Sequence, residues 1–274
     1  MQRLRKVKRM SQKRVCIAAA LALAATIGAF AAPVVVAFVD GDAQALAGGS
    51  WKRLDFDDKL DSAQSVKLAA GAVLELRSQA GSTIAIAAPG TYVIDALFKP
   101  KAEASALSTV AGKLEKLAKG GPADQTVAGV RGSEAVVAKG TMWAGGTVEA
   151  DEAAKAAFEA ASVGDHAKAY SLYMDAFQLY VDAFDPTGAA RVAYSASLSA
   201  IAFGSGARAL AALRSASPED AGALRSSYAL ALAALSARYG AAPDAKALLK
   251  KAIDGGWFDD PASLADAKSL LAGL

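Results

Sequence analysis

The hydrophobic period of this 274-residue chain changes near residue 149, and this change constrains the fold more than any other feature. Before it, short runs rich in β-branched residues alternate with Gly, Pro and Asp turn signals. After it, apolar residues recur at the three- and four-residue spacing of a helix face. The pattern predicts an α+β protein with an N-terminal all-β domain, residues 32–148, and an all-α domain, residues 149–274.

Short strands separated by turns predict the first domain. The run VVVAFV ends in the turn sequence DGD, SWKRL leads into the acidic turn DFDDKLDS, and AVLELRS alternates, with Leu74 and Leu76 on one face and Glu75 and Arg77 on the other. The run TIAIAAPGTYVIDAL adds two strands around a Pro-Gly turn. We expect a small sandwich, barrel or roll rather than a parallel sheet with crossover helices.

One helix is predicted inside this domain, at about residues 102–118. Its apolar residues lie three or four positions apart, which puts a narrow stripe on one side of a helix; they are Leu107, Val110, Leu114 and Leu117. The sequence GGP ends it, and strand signals resume in QTVAGV, EAVVA and TMWAGGTV. We therefore expect a helical insertion packed against the β-domain.

Seven helices with short loops are predicted after residue 149. Asp185-Pro186 and Asp260-Pro261 are signals for a helix N-terminus, and Gly204 and Gly240 stand where helices need C-caps. Alanine-rich faces and short loops favour a stack of antiparallel helical hairpins. The predicted ranges are 151–163, 165–184, 186–203, 206–216, 218–239, 243–254 and 261–273.

Residues 1–31 have the composition of a secretory signal peptide. Seven of the 30 basic residues fall in the first 14 positions, and an uncharged apolar run ends in Ala29-Phe30-Ala31. We predict cleavage after Ala31 and a periplasmic or otherwise exported protein, with the start open between Met1 and Met10. The alternative is an uncleaved anchor, since about 18 to 20 apolar residues can span a bilayer.

Loss of this leader reverses the charge of the chain. The whole chain carries +3, whereas the mature part has 23 basic against 27 acidic residues, a net charge of −4. The basic surplus therefore does not predict nucleic-acid binding. Cys16, the single cysteine, lies in the leader, so the mature protein can form no disulfide.

No residue pattern predicts a catalytic, cofactor or metal site. The densest acidic cluster is Asp55, Asp57, Asp58 and Asp61. Lys59 stands where a calcium loop requires an oxygen ligand, so we interpret the cluster as a solvated turn. His166 is the single histidine, which argues against a transition-metal site or a Ser-His-Asp triad and for a structural role in a turn.

Four residues are candidates for contact with a partner: Arg131, Trp143, Trp51 and Tyr173. Tryptophan, tyrosine and arginine are enriched at recognition hot spots. The competing interpretation of the tryptophans is a core or interface anchor. Arg131, in TVAGVRGSEA, either bonds an acid such as Asp58 or Glu134 or presents a free guanidinium to an anionic partner.

The segment EAASVGDHAKAYSLYMDAF resembles the second half of a tetratricopeptide repeat. Gly164-Asp165 matches the turn between the two helices of the repeat, followed at the family's spacing by Ala169, Tyr173 and Ala176. No proline follows Ala176 at the usual distance. The resemblance implies tetratricopeptide-like hairpins rather than a regular array.

Residues 34–97 and 125–137 are similar to the FecR-type domain of bacterial envelope proteins. The matching features are Gly41, Gly49, WKRL at 51–54, Asp58, Leu60, Val66-Lys67, LEL at 74–76 and GSTI at 81–84. TVAGVRGSEA is similar to the valine-arginine-glycine strand that often closes such domains, which implies a returning strand. Asp57 and Ala63 stand where the family usually has glycine. Well-known members regulate a sigma factor through a cytoplasmic segment, for which only about 14 residues precede the apolar run here.

We therefore expect an exported, non-enzymatic binding or scaffolding protein of the cell envelope. The expected partner is an envelope protein or peptide, with cell-wall association as a further option and no nucleic acid. Membrane contact would come only through an uncleaved leader, which would make the protein a transmembrane regulator. A third alternative is a cell-wall carbohydrate-active enzyme that uses paired carboxylates among Glu75, Asp95 and Glu134.

Overall fold

The computed structural model describes residues 33–99, 105–119 and 147–274. The leader with Cys16, the predicted returning strand with Arg131 and Glu134, and Trp143 all lie outside the described residues. Two antiparallel four-stranded sheets come first, and a helical region follows. The α+β class predicted from the change of period is confirmed at this level.

The two sheets form the β-region and share one hydrophobic core. The strands are β1 Pro33–Asp40, β2 Ala43–Ala47, β3 Ser50–Arg53, β4 Lys59–Asp61, β5 Ser65–Leu68, β6 Val73–Ser78, β7 Thr83–Ile86 and β8 Gly90–Val93. Their order is β4-β1-β6-β7 in one sheet and β3-β2-β5-β8 in the other. Val34 and Val36 of β1 point inward with Val66 and Leu68 of β5, because alternate side chains of a strand face the same side.

Three details of the β-region differ from the predicted pattern. Lys59–Asp61, inside the predicted acidic turn, forms strand β4 because Leu60 is buried beside Val34. The last predicted strand ends at Val93, and Ile94–Leu97 forms a one-turn helix, α1. Glu75, on the face of β6 opposite Leu74, is buried like Leu74 because the helical region covers that face.

Helices α2 to α9 form the helical region, and their bounds lie close to the predicted ones. They are α2 Ser105–Lys119, α3 Val148–Ser162, α4 His166–Asp182, α5 Pro186–Ala202, α6 Gly206–Arg214, α7 Arg225–Arg238, α8 Ala242–Asp254 and α9 Pro261–Gly273. The predicted helix 218–239 is interrupted: residues Pro218–Leu224 form a 3₁₀ segment that is kinked at Gly222, where φ is 55°, and the α-helix α7 begins at Arg225.

The predicted N-caps are confirmed. The Asp185 carboxylate accepts a hydrogen bond from the Gly188 amide at 2.9 Å, and Asp260 accepts from the amides of Ala262 and Ser263. Each aspartate satisfies amides that the first helical turn leaves without a partner. Proline follows at the first helical position in both cases.

The main packing partners of helix α2 are α5, α7 and α9, whereas its position in the sequence predicts the sheets. Leu107, Val110 and Leu114 of its apolar stripe enter the core of the helical region. Lys113 also pairs with Asp266 of α9 at 2.5 Å. The stripe meets a large alanine-rich surface on α5 and α7, and burial there removes more apolar area from water than the small outer face of a sheet could.

The β-region and the helical region meet along α6 and the end of α7. The Ala87 amide, just after β7, donates to the Tyr239 carbonyl at 2.7 Å. Arg214 of α6 donates to the Gly71 carbonyl at 3.2 Å. These contacts join segments more than 140 residues apart in sequence.

Candidate functional site

Glu75 of β6 lies at the centre of the junction and is 5% exposed. Its Oε2 atom accepts hydrogen bonds from the Ser205 hydroxyl at 2.9 Å and from the Ala207 amide at 3.3 Å. Ser205 is the N-cap of α6, so the carboxylate lies at the positive end of that helix. Glu75 therefore holds α6 on the sheet.

A cleft of about 1120 Å³ opens between the β-region and the helical region; we call it the sheet-edge cleft. Strands β7 and β8, the terminal strands of the two sheets, both line it. Helix α2 forms the opposite wall through Leu107, Ala111 and Leu114, and the turn between α5 and α6 contributes Gly204 and Gly206. The polar lining consists of Glu75, Thr83, Thr91, Lys99, Glu115 and Arg238.

The two lining strands make the cleft suited to an extended chain. In the part of the fold that the structure describes, β7 pairs only with β6, and β8 only with β5. A terminal strand presents amide and carbonyl groups along its free edge, where another strand can pair. The cleft thus combines main-chain hydrogen-bonding groups with apolar walls.

A smaller groove of about 520 Å³ runs along α4; we call it the Arg208 groove. Residues of α4 one and two turns apart form one wall, and Phe203 and Arg208 form the other. The residues of the α4 wall are Ala167, Tyr170, Ser171, Met174 and Asp175. The rings of Tyr170 and Phe203 meet edge to face, with centroids 5.9 Å apart and planes at 77°.

Two phenylalanine rings hold Arg208 in place. Its guanidinium lies 5.3 Å from the ring of Phe38 on β1 and 5.7 Å from the ring of Phe203. Burial raises the pKa of Tyr170 above its ordinary value, while the charge of Arg208 opposes this effect. The guanidinium forms no ion pair with a described carboxylate.

Of the four predicted contact residues, Trp51 and Tyr173 are described, and they differ in exposure. Trp51 lies on the edge strand β3 and is 40% exposed, so it is a surface residue and not a core anchor. Lys67 places its Nζ atom 6.0 Å from the Trp51 ring. Arg131 and Trp143 lie outside the described residues.

The expectation that Tyr173 contacts a partner is contradicted by its burial. Tyr173 is 4% exposed and lies in a core that α3, α4 and α5 share. Burial raises its pKa to about 12, against the opposing effect of a hydrogen bond with Ser195. Its spacing within the repeat-like segment reflects helix packing, and periodicity alone cannot distinguish packing from recognition.

Two acids of the acidic cluster accept hydrogen bonds from backbone amides of the same segment. Asp58 accepts a hydrogen bond from the Asp55 amide at 2.8 Å, and Asp61 accepts from the Ala63 amide at 2.9 Å. Within residues 33–99, 105–119 and 147–274, no three His, Cys, Asp or Glu side chains are grouped so that they could hold a metal ion. His166 is the first residue of α4, directly after the N-cap Asp165, and not part of the turn itself.

Glu75 and Asp95, two of the candidate catalytic acids of a carbohydrate-active enzyme, have different environments. Glu75 is buried and lines the sheet-edge cleft, where its bonds go to α6. The Asp95 side chain is 69% exposed, faces Lys99 at 4.0 Å and does not line the cleft. Glu134 lies outside the described residues.

A polar network between α3, α4 and α5 was not foreseen. The Tyr180 hydroxyl donates to Asp151, and Arg191 donates to the same hydroxyl at 2.8 Å. Burial, and after it the hydrogen bond with Asp151, raises the pKa of Tyr180 to about 12. In the sequence, the one signal of this network was Gly188, near the start of a predicted helix. Only a small residue at this position leaves room for the Tyr180 ring.

No family model, curated protein or solved structure matches this chain. Among the helices in the described ranges, none combines the length and the apolar character that a membrane crossing demands.

Proposed function

We propose that this protein is an exported binding or scaffolding protein of the cell envelope, not an enzyme, and that the sheet-edge cleft holds an extended segment of a partner protein or peptide. The observation that carries the proposal is that the terminal strands of both sheets line one cleft of about 1120 Å³. A peptide that adds a strand to a sheet gains affinity from main-chain hydrogen bonds and specificity from pockets for alternate side chains.

The hydrogen bonds from Ser205 and Ala207 to Glu75 support this role. Because Glu75 bonds the start of α6, the turn between α5 and α6 that lines the cleft is held in a fixed position relative to the strands. A binding surface formed in advance loses less conformational entropy when the partner docks. The cleft is therefore built for recognition of a preferred partner.

We further propose a FecR-like β-domain. Three glycines of the resemblance, Gly41, Gly49 and Gly81, have φ values of 78°, 82° and 85°, a region that favours glycine. Asp57, at a position where the family usually has glycine, has a φ of 68°. These conformations support the resemblance, since they explain why glycine is suited to these four positions.

We propose a tetratricopeptide-like character for the first helical hairpins. Ala169, Tyr173 and Ala176, at the family's spacing, are all buried where α4 meets its neighbours. Gly164, in the matched turn, has a φ of 82° and ends α3. Both features support a hairpin packed as in such repeats.

The test is photo-crosslinking in intact cells. A photoreactive amino acid is placed at Thr83 or Thr91, two exposed positions in the cleft, and at Lys155, an exposed position on α3 outside it. We expect the same partner to be recovered from both cleft positions and not from Lys155. If neither cleft position yields an adduct, or if Lys155 yields the same one, the cleft is not the binding surface.

Export and the absence of catalysis are tested separately. Intact-mass measurement of the native protein should show a chain that begins at residue 32, whereas a retained leader would favour a transmembrane regulator. Peptidoglycan turnover by purified protein, abolished in Glu75→Gln, would instead favour a carbohydrate-active enzyme.

A further inference from the structure

We propose that the Arg208 groove is a second binding site, for a peptide that presents one carboxylate next to an apolar side chain. The groove shares no lining residue with the sheet-edge cleft. The inference therefore goes beyond the proposed function, and either site could exist without the other.

Arg208 differs from the other half-buried arginines in the described part of the chain. Arg191 bonds Asp151 and Tyr180, Arg214 bonds the Gly71 carbonyl, and Arg225 bonds the Glu219 carbonyl. The Arg208 guanidinium has aromatic neighbours and no described oxygen partner. A partly desolvated guanidinium without an acceptor is a site for one to be supplied by a ligand.

The two rings leave the N–H donors of Arg208 for a ligand. Phe38 and Phe203 lie next to the guanidinium, but a phenylalanine side chain has no oxygen or nitrogen atom that could accept its hydrogen bonds. Because Phe38 and Phe203 hold the group from two different elements, little side-chain entropy remains to be lost on binding. A carboxylate matches the fork of two parallel N–H donors better than any other peptide group.

The other residues of the groove favour a ligand with an apolar side chain beside its carboxylate. Tyr170, Met174 and Phe203 offer an aromatic pair and a flexible thioether, surfaces that adapt to an apolar side chain. Asp175 lines the same groove, and Asp40 acts electrostatically on Tyr170. These acids would repel a second carboxylate, so we expect a single acidic residue with an apolar neighbour rather than an acidic run.

The test is a fluorescence-anisotropy titration of the purified full chain with a fluorescein-labelled peptide, GSFDSG. Two matched peptides, GSFNSG and GSADSG, remove the charge or the apolar side chain. Loss of a charge-assisted hydrogen-bond pair should weaken binding about tenfold or more, so we expect GSFNSG to bind at least that much more weakly than GSFDSG. GSADSG should also bind more weakly, and GSDDDG no better than GSFNSG.

Protein variants assign the effect to the groove. Arg208→Gln should lose the preference for GSFDSG over GSFNSG, whereas Arg53→Gln, which removes an exposed guanidinium from β3 in the other sheet, should keep it. Met174→Glu adds a negative charge to the groove without altering Arg208 and should also abolish binding. Circular dichroism and thermal unfolding establish that each variant is folded.

Equal binding of GSFDSG and GSFNSG, no binding of either peptide, or an unchanged preference in folded Arg208→Gln or Met174→Glu would overturn the proposal. None of these results would alter crosslinking from Thr83 and Thr91, so the failure of this site is distinguishable from the failure of the cleft.

Discussion

In the described ranges, Phe184 is the large apolar residue whose backbone adopts the left-handed conformation that favours glycine. Gly164, Gly204 and Gly240 follow the ends of α3, α5 and α7 with φ values of 82°, 90° and 93°. The corresponding position after α4 is occupied by Phe184, with a φ of 56° and 92% of its side chain exposed. A residue with a Cβ atom in this region costs about 1–2 kcal/mol, and the exposed ring recovers none of it by burial.

Replacement Phe184→Gly should therefore raise the free energy of unfolding, by about 0.5–1 kcal/mol after the greater chain entropy of glycine in the unfolded state is subtracted. Urea denaturation of both proteins measures the difference. Phe184→Ala keeps the Cβ atom and is the control, with an expected change of a few tenths of a kcal/mol at most. A gain no larger for glycine than for alanine would show that the backbone is not strained.

Small residues set how closely neighbouring helices approach. Gly188 of α5 lies against Tyr180 of α4, and a Cβ atom there would lie 2.6 Å from the ring atom Cε1. Tyr180 cannot yield, because it is 1% exposed and held between Asp151 and Arg191. A Cβ atom added at Gly112 of α2, by contrast, would meet no atom of a neighbouring element within 4 Å.

These two helical glycines should respond to alanine with opposite signs. Gly188→Ala should lower the free energy of unfolding by about 1–3 kcal/mol, because overpacking displaces Tyr180 from its network. Gly112→Ala should raise it by about 0.5–1 kcal/mol, since alanine favours the helix. Thermal and denaturant unfolding provide both values. A stabilised Gly188→Ala protein would mean that α4 and α5 are not in this close contact.

The hydrogen bonds of Glu75 help to join the β-region to the helical region. Its carboxylate satisfies the N-cap residue Ser205 and the Ala207 amide at the start of α6. Loss of a buried charged acceptor leaves the donors without a partner, which typically costs about 1–3 kcal/mol. The same bonds position the turn between α5 and α6 that lines the sheet-edge cleft, so the junction links stability to the proposed binding surface.

A double-mutant cycle of Glu75→Ala and Ser205→Ala measures this junction. We expect a coupling energy of about 1–2 kcal/mol, because the two side chains share a hydrogen bond. Ser215, at the other end of α6, bonds the Ala212 carbonyl and provides the control. Coupling between Glu75→Ala and Ser215→Ala should be close to zero, and an equal coupling in both cycles would indicate a general loss of fold.

The helix ends and most strands could be read from the residues because they depend on neighbours in sequence. The cap of Asp185 spans three residues and the alternation of β1 spans a few more, so both leave a local pattern. The partners of α2 could not be read, because an apolar stripe shows which face is buried and not what covers it. The helix itself was correct, but its main partners are α5, α7 and α9 and not the β-domain.

The candidate sites depended still more on contacts distant in sequence. Residues 130 positions apart create the environment of Glu75, and a strand and two helix ends meet around Arg208. Composition and period predicted the α+β class, which is confirmed, since those properties are sums or repeats of single residues. Export and the lack of a catalytic site stay predictions. The cleft, the groove and the burial of Tyr173 arose only when the two regions and the helices packed, because a side chain's exposure and partners depend on which distant surfaces exclude water from it.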